Sequence, residues 1–163
     1  MDLLRYAAPW GEILLCGAGD ELKGLYIRGQ RRAPADLRGE YRETPLLRAA
    51  AQWLDAYFSG KKPSPGLLPL APEGNAFQQA VWRHLLAIPY GETATYGAIA
   101  RAVAREMGRE RMSAQAVGGA VGRNPISIII PCHRVIGADG GLTGYAGGLA
   151  VKAWLLRHEG ARQ

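Results

Sequence analysis

Four prolines, Pro63, Pro65, Pro69 and Pro72, crowd the stretch from Lys61 to Pro72 and punctuate the chain. Each fixes φ and lacks an amide hydrogen, so neither a helix nor a central strand can run through the segment. Whatever these 163 residues fold into must be assembled from a part before the prolines and a part after them. At 48% hydrophobic residues, there is apolar surface for one compact core, or for two small cores joined by a short linker.

Before the prolines, Leu3 to Ile27 alternates apolar patches (Ile13-Leu14-Leu15, Leu25-Tyr26-Ile27) with Gly17, Gly19-Asp20 and Gly24, as short antiparallel strands joined by turns do. Thr44-Pro45 then offers an N-cap and a first-turn proline. Leu46, Leu47, Ala50, Trp53, Leu54, Tyr57 and Phe58 follow at helical spacing, and Gly60 stops the pattern. This helix is expected to cover one face of the sheet.

After the prolines, Asn75 with Gln78 three residues on forms a capping-box pattern for a helix through Phe77, Val81, Trp82, Leu85 and Leu86. Thr95 is placed to cap a helix carrying Ile99 and Val103, and Ser113 to cap another through Ala116, Val117, Ala120 and Val121. A charged connection, Arg105 to Met112, lies between them. Two short helices followed by a hairpin candidate, Arg134 to Tyr145 with its turn at Asp139-Gly140-Gly141, suggest a helix-turn-helix with a wing. The expected fold class is α+β: a small N-terminal sheet-and-helix domain over residues 1–72, then a C-terminal winged helix-turn-helix domain over 73–163.

Charge points the same way. Residues 1–74 hold ten basic against nine acidic side chains, whereas residues 75–163 hold ten against five. Phosphate neutralisation releases counterions, so the C-terminal half is where nucleic-acid binding is expected. The Ser113-capped helix has a face of small residues, Ala114, Ala116, Gly118, Gly119, Ala120 and Gly122. Glycines there cost roughly 1 kcal/mol each relative to alanine, so something must come close: another helix or a nucleic-acid groove. Two cysteines, Cys16 and Cys132, are too few for a disulfide framework, and a reducing cytosol is the natural compartment. No signal-like segment opens the chain, and no apolar run approaches the roughly 20 residues of a bilayer span, so neither export nor membrane insertion is expected.

The chemistry is expected at the end of Ile126-Ser127-Ile128-Ile129-Ile130, a β-branched run that reads as a buried strand introduced by Asn124-Pro125. Pro131 ends regular pairing and leaves Cys132 at its mouth, followed by His133. The imidazole can lower the thiol pKa or remove its proton, and the thiolate is the nucleophile. Neighbours in extended chain point to opposite sides, so either the backbone turns sharply at Cys132 or a water bridges the two groups. In both cases His133 needs an orienting acceptor, and Glu159 is the best remaining acid.

The stretch Asn124-Pro125-Ile126 through Pro131-Cys132-His133-Arg134-Val135-Ile136 resembles the active-site signature of the O6-alkylguanine-DNA alkyltransferases. The resemblance extends over Ile88 to Thr93, Thr95-Tyr96, Ala116 to Ala120, Thr143 to Gly148 and Trp154 to Gly160. In the first part of the chain it covers Trp53 to Phe58. It implies that Cys132 accepts an alkyl group irreversibly from guanine O6 in double-stranded DNA, with alkylated thymine a further candidate. His133 would act through a water as base, Glu159 would hold the imidazole, and Tyr96 would donate to the departing base. Asn124 would tie the recognition helix to the active-site segment. The base would be flipped into a pocket lined by Tyr145, Gly147 and Gly148, with the Cys132 and Val135 carbonyls accepting from its amino group. Ser113, Ala116, Gly118, Gly119 and Arg123 would face the DNA. A monomer without a cofactor is implied; some family members hold zinc in the N-terminal domain, but with only Cys16 and no histidine there, no metal is expected.

Gln115 departs from the family pattern, which carries an arginine directly before Ala116-Val117-Gly118-Gly119 to fill the space of the flipped base. Gln115 lacks a guanidinium's charge and stacking plane, so extrusion is expected to be stabilised differently, or helped by Arg109 or Arg111. A cysteine hydrolase would need an oxyanion-hole motif that is not evident. A lesion-binding module without chemistry would not need Cys132.

Overall fold

A computed structural model of the chain describes residues 1–30 and 37–162. The fold is a mixed α+β arrangement with five helices and a small sheet among the described residues. Strands β1 (Asp2–Ala8), β2 (Gly11–Ala18) and β3 (Glu21–Ile27) form an antiparallel meander, and the short β4 (Glu40–Tyr41) adds in parallel to β1. Ile13, Leu15, Leu22, Leu25 and Ile27 are buried from this sheet. Helix α1 (Pro45–Phe58), capped by the Thr44 hydroxyl on the Leu47 amide, lays Leu47, Ala50, Trp53, Leu54 and Tyr57 against it. Each large apolar side chain among them, such as Leu47 or Leu54, contributes on the order of 1.5–3 kcal/mol when fully buried, which is why the amphipathic stripe fixes where α1 lies.

The proline segment is docked to the sheet. The Leu22 amide donates to Pro69 O and the Ala71 amide to Leu22 O, occupying one stretch of the β3 edge. The next stretch receives the C-terminal half: Leu25 N donates to Pro125 O, and Ser127 N to Leu25 O. Both segments protect backbone groups that an open edge strand would leave unpaired.

Helix α2 (Ala76–Leu86) begins with the capping box of Asn75 and Gln78. Thr95 caps α3 (Tyr96–Glu106) and Ser113 caps α4 (Ala114–Gly122), both through hydroxyl acceptors for first-turn amides. Helix α5 (Leu149–His158) starts after Gly148, whose φ of +94° suits glycine. No helix among the described residues is long and apolar enough to cross a membrane.

Two expected elements differ. Residues 126–130 are buried, but they form a compact turn-rich segment rather than a strand, with a single bridge from Ile126 to Leu25. The Asn124 carboxamide takes the place of a neighbouring strand: its Nδ2 donates to Ile130 O at 2.8 Å, and its Oδ1 accepts from Ile126 N at 3.0 Å. Ile128 sits at φ +73°, a left-handed conformation costing a β-branched residue on the order of 1–3 kcal/mol. Burial of the surrounding isoleucines and the Asn124 bonds hold it there.

The second difference is the hairpin. The turn falls at Asp139-Gly140-Gly141 as expected, with Gly141 N donating to Asp139 Oδ1 at 2.8 Å and Gly137 N to Gly141 O at 3.0 Å. However, β6 (Val135–Ile136) pairs in parallel with β5 (Ala94–Thr95), and no returning strand forms among the described residues. The ammonium of Lys152, reaching from α5, donates to the carbonyls of Val135 at 2.6 Å and Thr143 at 3.2 Å and so links the two arms of the loop.

Candidate active site and DNA-facing surface

Cys132 opens a short 3-10 turn, Cys132–Arg134, immediately after Pro131. Of the two ways to reconcile adjacent Cys and His, the backbone turn is therefore present. Cys132 is 4% exposed. Burial pushes its thiol above the ordinary value, opposed by the Asn124 amide and the charge of Lys152. At rest the group is a thiol, so attack requires a base to take its proton.

The His133 imidazole is fully buried, with Nε2 2.6 Å from Glu159 Oε2. Glu159 caps the C-terminus of α5. Its Oε1 accepts from Arg134 Nε at 2.8 Å and its Oε2 from Tyr57 Oη at 2.6 Å, while the Gly91 amide approaches Oε1 at 3.4 Å. Burial alone would raise the carboxyl's pKa. The hydrogen bonds and charges of His133 and Arg134 outweigh it and hold Glu159 far below the usual carboxylate range. Beside a charged carboxylate, Nε2 carries the imidazole proton and donates it, which leaves Nδ1 as the bare acceptor. Nδ1 is buried without a hydrogen-bond partner. Burial lowers the His133 pKa in spite of Glu159, so the ring is neutral and ready to accept.

Tyr145 is half-buried, with its hydroxyl wholly buried and unpartnered. Burial raises this phenol's pKa, and the neighbouring Cys132 acts in the same direction. Its ring packs so closely on Gly147 that a Cβ there would lie 2.9 Å from Tyr145 Cε2. The Tyr96 hydroxyl accepts from Thr143 Oγ1 at 2.9 Å, joining the start of α3 to the same loop. Both carbonyls assigned to the base's amino group already have one donor each: the Val135 amide on Cys132 O, and Lys152 on Val135 O. Each keeps a second lone pair.

Ser113, Gln115, Ala116, Gly119 and Arg123 are exposed, and Gly118 is partly so, whereas Val117, Ala120 and Val121 of α4 turn inward. Neither glycine is demanded by packing within the chain. A Cβ at Gly119 would meet nothing within 4 Å, and one at Gly118 would make ordinary contact, 3.8 Å, with the Tyr96 ring. Helix-on-helix packing is thereby removed as the reason for these two glycines. Beside it, Arg101, Arg105, Arg109, Arg111 and Met112 line an open groove of about 470 Å³ between α3 and the connection.

Three residues of the site carry little sequence signal. Arg134 follows directly on the Cys-His pair, and its guanidinium also donates to Ile88 O at 2.8 Å. Lys152 stands three and four residues before the buried Leu155 and Leu156, a cation on an apolar face, and burial brings its pKa down to about 8. Tyr57 belongs to the apolar stripe of α1, and nothing in that stripe marks it out.

Residues 76–161 match the family described as 6-O-methylguanine DNA methyltransferase, DNA binding domain. Methylated-DNA–protein-cysteine methyltransferase of Methanosarcina barkeri is 51% identical over 155 residues, 93% of this chain and 92% of that protein. The Haemophilus influenzae protein of the same name is 40% identical, over 94% of this chain and 83% of its own length. Among solved structures, the crystal structure of Mycobacterium tuberculosis OGT in complex with DNA superposes with a TM-score of 0.84 at 40% identity, covering 99% of this chain and 94% of that one.

Proposed function

The chain belongs to the methylated-DNA–protein-cysteine methyltransferase family, and from that premise we propose that it repairs DNA by moving an alkyl group from guanine O6 onto Cys132, once and irreversibly. Alkylated thymine O4 is the second substrate to examine. The observation that carries this reading is the buried relay at the thiol: a charge-locked Glu159, a neutral His133 and a bare, unpartnered Nδ1 one residue from Cys132. In the reaction the thiol proton passes to Nδ1 through a water, and sulfur attacks the alkyl carbon in line with the departing oxygen. The C–O bond breaks, its electron pair goes to the guanine ring, and the base is neutralised by a proton donated from Tyr96.

The target oxygen is inaccessible in a duplex, so the nucleotide is turned out towards Tyr145, Gly147 and Gly148. Helix α4 acts as the recognition helix of a helix-turn-helix, the loop after β6 as its wing, and the bare face around Gly119 as the closest approach to DNA. Asn124 holds the segment between α4 and Cys132. Gln115 stands where the stack opens, and Arg109 and Arg111 supply the cations it lacks. This reading divides the chain at residues 72 and 73, and gives a monomer acting on double-stranded DNA.

The test is the intact mass of the protein after incubation with a duplex containing O6-methylguanine. One methyl group is expected, located on the peptide containing Cys132 and absent from a Cys132→Ala variant that still binds the duplex. Repeated turnover by protein that stays unmodified would exclude the proposal.

A further inference from the structure

Helix α1 contributes one polar contact to the relay. The Tyr57 hydroxyl donates to Glu159 Oε2 at 2.6 Å, the same oxygen that receives His133 Nε2, across 102 residues of sequence. The phenol is held firmly for the task. Its ring stacks on Trp53 with centroids 5.7 Å apart and meets Phe58 and Tyr90 edge-on. One residue before the carboxylate, His158 Nε2 donates to the Tyr57 carbonyl at 2.7 Å, so helices α1 and α5 are pinned together at this point. Tyr57 itself is 1% exposed.

We propose that Tyr57 is a positioning residue for the alkyl transfer: by sharing Oε2 it fixes the carboxylate and draws off part of the charge facing His133. The imidazole then stays neutral, with its bare nitrogen available to the thiol. The inference rests on the alkyl-transfer reading of Cys132, and it makes the N-terminal helix part of the relay. Arg134 continues to hold Glu159 ionised through both oxygens, Nε on Oε1 at 2.8 Å and Nη2 on Oε2 at 3.2 Å, so loss of the phenol hydroxyl removes the shorter of those two donors on Oε2 and leaves more of its charge directed at Nε2. The other groups facing the pair are Lys152 and Cys132 near the imidazole, and Tyr90 and Tyr145 near Glu159.

Tyr57→Phe keeps the ring stack and removes only the hydroxyl. In the full chain, the pH profile of single-turnover methyl transfer and the imidazole nitrogen shifts of His133 in unreacted protein are the readouts. The acid limb and the imidazole titration are expected to move up together by about half to one pH unit, roughly three- to tenfold in rate below the limb, with DNA affinity unchanged. If that variant folds poorly, 3-fluorotyrosine at position 57, a stronger donor of nearly the same shape, is expected to move both readouts down. A limb and an imidazole titration that stay in place in the folded variant would overturn the proposal, whatever happens to stability. The nitrogen shifts are read without DNA, so they judge Tyr57 even if the unaltered protein never takes up a methyl group.

Discussion

Protons distinguish the residues of the relay from the rest of the chain. His133 refuses a proton in the folded state that it accepts near pH 6.5 when unfolded, and Glu159 keeps its charge to much lower pH than an unfolded carboxyl does. Both groups bind fewer protons folded than unfolded, so their contribution to stability is complete above about pH 7. It falls as the unfolded imidazole protonates below about 6.5, and falls further as the unfolded carboxyl protonates below about 4.5. A denaturant midpoint that declines steadily from pH 7 to pH 4 is expected, and equal midpoints at pH 7 and pH 5 would contradict the assignment. Glu159→Gln leaves Arg134 buried without its counter-charge and should lower stability at neutral pH by about 3–5 kcal/mol. The Cys132, His133 and Glu159 grouping was legible because nucleophile and base are adjacent and few acids compete. Tyr57 and Lys152 were not, because their partners are chosen by packing over long sequence separations.

At the scale of elements, caps and apolar periodicity defined the helices well, since Thr44, Asn75, Thr95 and Ser113 act on amides within their own first turns. The segment 126–130 and the loop after β6 depart from the expected strands for one shared reason. In each, a side chain bonds carbonyls that a second strand would have served: Asn124 in the first, Lys152 in the second. Strand propensity scores the residues of a segment and is blind to such a substitute. Helix α4 offers a direct test of its bare face. Gly119→Ala meets no internal obstacle and should raise folding stability by up to about 1 kcal/mol, while weakening binding to duplex DNA. Binding that improved along with stability would show that this face does not approach the helix groove.

The molecule as a whole is held together by more than its proline segment. Trp10 of the β1–β2 turn and Phe58 of α1 pack on Trp154 of α5 at 5.2 and 5.7 Å between ring centroids, and Trp154 stacks on His158 at 4.9 Å. Together with the backbone bonds on β3, these contacts predict that the two parts of the chain unfold in one step. In the unaltered chain, amide signals from α1 and from α2 followed through a denaturant titration should be lost with one midpoint, and separated midpoints would refute the single step. The hydrogen bonds at the edge of β3 have one more consequence. Cys132 is 4% exposed, so a substituent added to its sulfur is expected to press on the turn around it. That turn is tied through Asn124 to residues 125–127, whose backbone meets Leu25. If Cys132 takes up an alkyl group as proposed, the amide of Leu25, which donates to Pro125 on the sheet edge, is expected to become a reporter of history: its exchange with solvent should separate alkylated molecules from unreacted ones.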